Sequence, residues 1–279
     1  MTGGRTGREV VAITGASGRI GRRVAPLLDR PGRVLRLVDV DLPDRPEDGP
    51  WGALEHLELR PASIEDDDGI RAALDGADAV VHLAALASEA PWADLLRVNI
   101  DGTRKVLEAA RLGGTRSVVL ASSIHAVGFA DPADAAGTEV LVPRPDSYYG
   151  MTKAAVEALG SVYADRYRMS IVSARICDFE PEPGPGRGLS QWLSPGDAAR
   201  LFEAGIALDD GRHHIVWGVS ANAPDGYDLR AGRAIGFEPR DDAVAFATAR
   251  DGAPPEAAVR PGPIGGYFAD AAHPLGERW

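Results

Sequence analysis

The sequence predicts an α/β protein: a doubly wound parallel sheet with a smaller C-terminal portion packed on it. Three observations predict it. Short apolar runs alternate with helix-forming stretches along the first 176 residues. The runs are continuously apolar rather than alternating, as strands buried on both faces require. The first run ends in a glycine-rich turn that opens a helix, the start of a mononucleotide-binding unit of Rossmann type.

Taken in order, Val10–Thr14 (VVAIT) is the first strand, and GASGRIG (Gly15–Gly21) leads into a helix reaching about Arg30, with Pro26 placed to kink it. Val34–Val40 is the second strand and carries Asp39 near its end. Ala79–Leu83 is a strand, Trp92–Leu112 a long helix, and Val118–Ala121 a strand that runs out into Ser122 and Ser123. A helix begins at SYYGMTK (Ser147–Lys153), and Ser170–Ile176 is the strand after it. Beyond Ile176, EPEPGPGRG (Glu180–Gly188) is too rich in Pro and Gly for a regular element and reads as a loop at the carboxyl edge of the sheet. Ser194-Pro195 is a helix start, with serine as cap and proline in the first turn, and the helix should run to about Leu208. Ile215–Val219 reads as a strand, Leu229–Ile235 as a short helix, and the tail from Asp251 as irregular. Residues 9–176 are thus expected to form a nucleotide-binding domain. Residues 177–279, with too little apolar pattern for an independent core, are expected to form a lobe and tail packed on it.

Composition narrows the function. Net charge is −11 with acidic residues dispersed, which argues against nucleic acid or an anionic membrane as partner. No run approaches about 18 apolar residues, the length a membrane span needs. Residues 1–8 are too short and polar for a signal peptide. Cys177 is the only cysteine, so an internal disulfide is excluded and a reducing, cytoplasmic setting is expected. No metal site is expected.

GASGRIG after a strand and before a helix points to a dinucleotide: its glycines let the backbone approach a diphosphate. Gly15, Ser17, Gly18, Arg19, Ile20 and Gly21 are the expected contacts. Asp39, 18 residues past Gly21, accepts hydrogen bonds from ribose hydroxyls and repels a 2′-phosphate, favouring NAD over NADP. Arg19 in the same turn is compatible with that phosphate and pulls the other way. Tyr149 and Lys153 stand four apart on a helix and share one face. A phenol beside an ammonium is a device for moving a hydroxyl proton, because the cation favours the phenolate. Ser123 at a strand's carboxyl end is placed to orient a substrate hydroxyl. His125, two residues on, is as compatible with a structural role as with a substrate contact.

Together GASGRIG, the HLAA after Val80-Val81, VNIDGT (Val98–Thr103), Ser123 and YYGMTK resemble the extended short-chain dehydrogenase/reductase superfamily over residues 9–176. The resemblance implies a Ser123–Tyr149–Lys153 catalytic set, with Tyr149 as acid/base and Lys153 also holding the nicotinamide ribose. It implies that Leu83, Ala84 and Ala85 line the cofactor, with Ser63, Ile64 and Ile176 beside it and Asn99 supporting it. Further stretches, LASSIHAVG, RPDSYYGMTK, the EPEP loop with Arg187, QWLSPGD and VWGVSAN, resemble the uronate dehydrogenase family of NAD-dependent epimerase/dehydratase-like proteins. That family oxidises C1 of a hexuronic acid with NAD to a lactone, and a homo-oligomer is implied. EAPW (Glu89–Trp92) and NIDGT are also similar to archaeal-type sugar-6-phosphate dehydrogenases.

By this resemblance Arg187 binds the anionic end of the sugar, Ser88 and His125 its hydroxyls, and Ser123 the C1 side. The chain departs from the pattern at Ile124 (asparagine in the family), Cys177 (glycine), Asp178 (serine) and Ser63 (aspartate). Ile124 removes a polar contact, and Asp178 either repels a carboxylate or neutralises Arg187. The expectation is an NAD-dependent sugar C1 dehydrogenase acting on a uronate or a related aldose. The alternatives are a sugar-6-phosphate 1-dehydrogenase, a nucleotide-sugar epimerase or dehydratase, and a non-catalytic NAD(P)-binding sensor.

Overall fold

The structure is a computed structural model, and it describes residues 7–43, 49–185, 188–222, 226–255 and 262–278. The chain opens with β1 (Glu9–Thr14) and α1 (Gly21–Val24), which tightens into a 3₁₀ turn over Ala25–Leu28. The first helix is therefore shorter than expected. Pro26 has no N–H to continue an α-helical ladder, and it sits in the first turn of the 3₁₀ segment.

β2 (Arg33–Asp39), β3 (Leu57–Pro61), α2 (Asp67–Leu74) and β4 (Ala79–His82) follow. Next comes a helix in three parts: α3 (Trp92–Leu95), a π-helical stretch over Leu96–Gly102, and α4 (Thr103–Gly113). It covers the span expected of one long helix, with a widened middle that contains Asn99.

β5 (Ser117–Ser123) leads through a 3₁₀ turn at Ile124–Val127 and α5 (Pro132–Gly137) to α6 (Tyr148–Tyr167), which Ser147 caps by accepting the Gly150 N–H. β6 (Ser170–Ile176), β7 (Asp178–Phe179), α7 (Gly188–Gln191), β8 (Trp192–Leu193) and α8 (Pro195–Ile206) come next. β9 (His213–Gly218), α9 (Arg230–Ala234), α10 (Ala243–Asp251) and a 3₁₀ turn at Gly266–Ala269 complete the described elements.

Seven strands form the main sheet in the order β3-β2-β1-β4-β5-β6-β9, and every pairing in it is parallel. The strand order reverses between β1 and β4, which places a crevice at their carboxyl ends. The central strands feed both faces. Val11 and Ile13 point to a core with Leu35, Leu37, Val119 and Phe202, whereas Ala12 points to one with Val80, Val118 and Ile171. No described helix is long and apolar enough to cross a membrane.

The division expected after Ile176 does not follow the sheet. α8 packs Leu201, Phe202 and Ile206 into the first core, and β9 pairs with β6 from Ile171 to Ile176. These later elements complete the sheet layer. The strand expected at Ile215–Val219 is β9, which starts two residues earlier, at His213, and belongs to the main sheet rather than to a separate lobe. Residues of β7, of α7 and of the 3₁₀ turn at Gly266–Ala269 line the carboxyl edge, and β7 pairs with β8 as a short second sheet.

Candidate active site

Five strand ends meet at one edge: Thr14, Asp39, His82, Ser123 and Ile176. Two adjoining cavities lie along it. The smaller, about 510 Å³, has the glycine turn on one side and Asp39, Ser63 and Ile64 on the other, with Leu83, Ala84 and Ala85 between them. Gly15 is obligatory here. Its φ of +70° is left-handed, and a Cβ would stand 2.5 Å from the Ala84 nitrogen. The β1 turn therefore lies against the backbone leaving β4, as a cradle for a flat, charged ligand must. The Asp39 carboxylate accepts the Ser17 N–H at 2.9 Å and the Val40 N–H at 2.7 Å, tying the turn to the end of β2.

Asn99 lies behind this cavity, not in its lining. It is 1% exposed; its side-chain oxygen accepts the Leu86 N–H at 2.8 Å, and its amide donates to the Leu86 carbonyl and the Thr152 hydroxyl, each at 3.0 Å. The π-helical stretch turns this side chain inward, so Asn99 holds the wall in place rather than touching what the wall encloses.

A buried chain of hydrogen bonds runs from here under the edge. The Thr103 hydroxyl donates to the Asn99 carbonyl at 2.6 Å and so accepts from His82 Nε2 at 3.0 Å. His82 Nδ1 then accepts from the Thr14 hydroxyl at 2.7 Å. Burial, with the Lys153 charge adding to it, pushes the His82 imidazolium down to about 3. Because the unfolded chain protonates His82 near 6.5 and the folded one near 3, stability from this group is complete above about pH 6.5 and drains away as pH falls toward 3. Imidazole NMR should show His82 neutral, with the proton on Nε2, from pH 7 down to about 4.5. A midpoint above 5.5 would contradict this assignment.

The larger cavity, about 650 Å³, adjoins the first and shares Arg19, Ile20, Leu83, Ala85 and Ala87 with it. Ser123, Tyr149, Lys153 and Ile176 line it, as do Ser88, Ile124, His125 and Asp178. Of the residues expected to meet the sugar, Arg187 lies outside the described residues.

Tyr149 and Lys153 do share a face of α6. Lys153 Nζ stands 5.6 Å from the Tyr149 ring centroid and donates to the Ala121 carbonyl at 2.8 Å, while the Ser123 hydroxyl acts on the phenol in the direction that favours its ionised form. The surroundings of the phenol oppose the acidity expected from the spacing. Burial pushes Tyr149 up to about 12, opposed by the Ser123 hydrogen bond and the Arg19 charge and reinforced by Asp146. Burial likewise draws Lys153 down to about 8. Desolvation outweighs proximity because both groups are nearly out of water, at 7% and 5% exposure.

Five contributors were missed in the sequence. Glu89, 2% exposed, accepts the Tyr149 N–H at 2.8 Å and, through its other oxygen, the Gly276 N–H at 2.7 Å. It caps the helix that presents the tyrosine and ties the C-terminal segment to it. Asp146 is fully buried and accepts from His125 Nδ1 at 2.7 Å and from the Ser147 hydroxyl at 2.9 Å. Phe268 lies on the His125 ring with centroids 3.8 Å apart, and Tyr267 and Ile264 extend that wall. Asp146 and Glu89 sit within stretches noted for other reasons, and a carboxylate beside a helix start was the available signal for both. Nothing local in the tail marks Phe268 or Tyr267.

A dinucleotide-binding sheet edge with a buried Ser–Tyr–Lys cluster defines a class of nicotinamide-dependent enzymes. The chain belongs to the NAD-dependent epimerase/dehydratase family, which matches residues 11–203. It is similar to the uronate dehydrogenase of Pseudomonas syringae pv. tomato, at 34% identity over 95% of this chain and 94% of that one. It is also 35% identical to an NAD-dependent glucose-6-phosphate dehydrogenase of Haloferax volcanii over 85% of this chain and 95% of that protein. In structure it is similar to a uronate dehydrogenase mutant from Agrobacterium tumefaciens complexed with NAD (TM-score 0.81, 29% identity, 97% of this chain and 100% of that one).

Proposed function

We propose that this protein is an NAD-dependent dehydrogenase that oxidises C1 of a cyclic sugar to a lactone, with Ser123, Tyr149 and Lys153 as its catalytic set. The observation that carries the reading is the placement of the Tyr149 phenol. With Ser123 and Lys153 it lines a sugar-sized cavity that adjoins the glycine-turn cavity.

The residues fit NAD. The cradle at Gly15 admits backbone but no side chain, and Asp39 places a carboxylate where a ribose would be read and a 2′-phosphate repelled. Bound NAD⁺ supplies the hydride acceptor and a positive ring charge. The protein does the rest. Ser123 orients the C1 hydroxyl and, by donating to the phenolate, favours it over the phenol. The ionised Tyr149 takes the hydroxyl proton. The Lys153 ammonium, fixed on the Ala121 carbonyl, stabilises the negative oxygen electrostatically. His125 is held on one edge by Asp146 and on one face by Phe268, and so presents its remaining edge to sugar hydroxyls.

The pocket favours a neutral aldose over a uronate. Asp178 and Glu180 both line the sugar cavity, and Glu180 already neutralises Arg19. The test is NADH formation on a panel of aldoses, uronates and sugar phosphates. Steady turnover on an aldose is expected, with uronates slower by about tenfold or more, as two carboxylates in the lining of the pocket imply. The Ile124→Asn, Asp178→Ser double variant should gain on glucuronate or galacturonate. Unchanged or reduced kcat/KM on uronates would refute this account of the pocket. Tight NAD binding with no turnover on any sugar would instead favour a sensor.

A further inference from the structure

We propose that Glu180 is a positioning residue that competes with the diphosphate of the dinucleotide for the Arg19 guanidinium, and so sets how tightly the cofactor is held and how fast it leaves. The proposal rests on the NAD reading above. Arg19 leaves the glycine turn at the junction of the two cavities and lines both, whereas Glu180 lines only the sugar cavity. Their side chains meet at 2.7 Å, from positions 161 residues apart, and so bridge the junction from the turn to the loop after β7. A dinucleotide lying across both cavities must pass this bridge, with its two phosphate charges beside the same guanidinium.

The two partners are not equally mobile. The Glu180 carbonyl accepts the Trp192 indole N–H at 2.8 Å, and Trp192 is 2% exposed, so the acid's backbone is pinned to the second sheet. The Arg19 side chain is 60% exposed at the mouth of the cleft. Arginine is therefore the partner that pivots, and the carboxylate is a fixed station it returns to. A solvent-exposed ion pair is weak enough to exchange partners at equilibrium, and a diphosphate offers more charge and more acceptor oxygens than one carboxylate. Cofactor binding then takes Arg19 from Glu180, and cofactor release is assisted by Glu180 recapturing it. The Arg19 charge also acts on the Tyr149 phenol, so the pivot connects cofactor occupancy to the acid/base residue.

The test is NADH affinity by fluorescence titration and release rate by stopped-flow displacement, for wild type, Glu180→Gln, Arg19→Gln and the double variant, with thermal midpoints recorded for each. Glu180→Gln should tighten NADH about threefold to fivefold and slow its release by a similar factor, the range open to one exposed charge pair. Arg19→Gln should weaken NADH and cancel the effect of Glu180→Gln in the double variant. The gain should shrink as salt rises from about 0.05 M to 0.5 M, where the screening length shortens. Glu180→Ala serves as a second removal of the charge and should behave as Glu180→Gln does. An NADH affinity unchanged or weakened by both Glu180 variants would overturn the proposal, as would an equal gain in the Arg19→Gln background. A wild-type protein that binds no NADH would instead overturn the cofactor reading, and this inference with it.

Discussion

Tyr149→Phe is expected to lower kcat/KM for sugar oxidation by about a thousandfold, the scale of a lost acid/base group, and to leave NADH affinity within about twofold. The split follows from where the residue sits. Its ring packs with Ala90, Leu95 and Phe268, and phenylalanine keeps that packing. Only the hydroxyl is removed, and with it the atom that Ser123 bonds and that receives the proton. Turnover assays paired with fluorescence titration of NADH check it. If affinity and turnover collapse together, Tyr149 is chiefly a packing residue and the acid/base assignment is wrong.

Lys153→Met carries the second large effect, a loss of about a hundredfold in kcat/KM. The variant removes the ammonium that holds the Ala121 carbonyl and stabilises the phenolate. Methionine fills much of the same volume, so the thermal midpoint should move little. A pH signature separates a charge role from a packing role. Burial draws Lys153 down to about 8, so its ammonium is present below that value and lost as pH rises through it. Wild-type NADH affinity should therefore weaken between pH 7 and about 9.5, while the Lys153→Met variant, already weaker, should be flat across that range. A wild-type affinity that is flat would show that the ammonium does not hold the cofactor.

Much of this site was legible because its chemistry is periodic. The strand–glycine–helix order of VVAIT and GASGRIG, the Asp39 spacing and the four-residue step from Tyr149 to Lys153 are local patterns that backbone geometry converts directly into position. The rest depends on contacts between distant segments. Asn99 was expected to support the site, but that it does so from behind the wall, through Leu86 and Thr152, depends on the π-helical stretch. The strand at Ile215–Val219 was legible, but its pairing with β6, set by segments far apart in the chain, was not. Phe268 and Tyr267 belong to a stretch without periodicity, and only folding brings them over His125. The phenol's environment was misjudged for a related reason. Charge spacing shows in a sequence, but the depth to which both groups are buried does not, and depth decides the sign.

The Asp146 carboxylate has a consequence for how this protein can change. Gly128 and Gly265 come from the turn after β5 and from the C-terminal segment, and a side chain at either would overlap Asp146, whereas one at Gly150 would first meet the His125 carbonyl. One acid thus makes two separated positions interdependent. Substitutions at 128 and 265 should be tolerated only in company with a change at 146, and an evolutionary drift that surrendered the acid would loosen all three sites at once, freeing the histidine it restrains to read a different ligand.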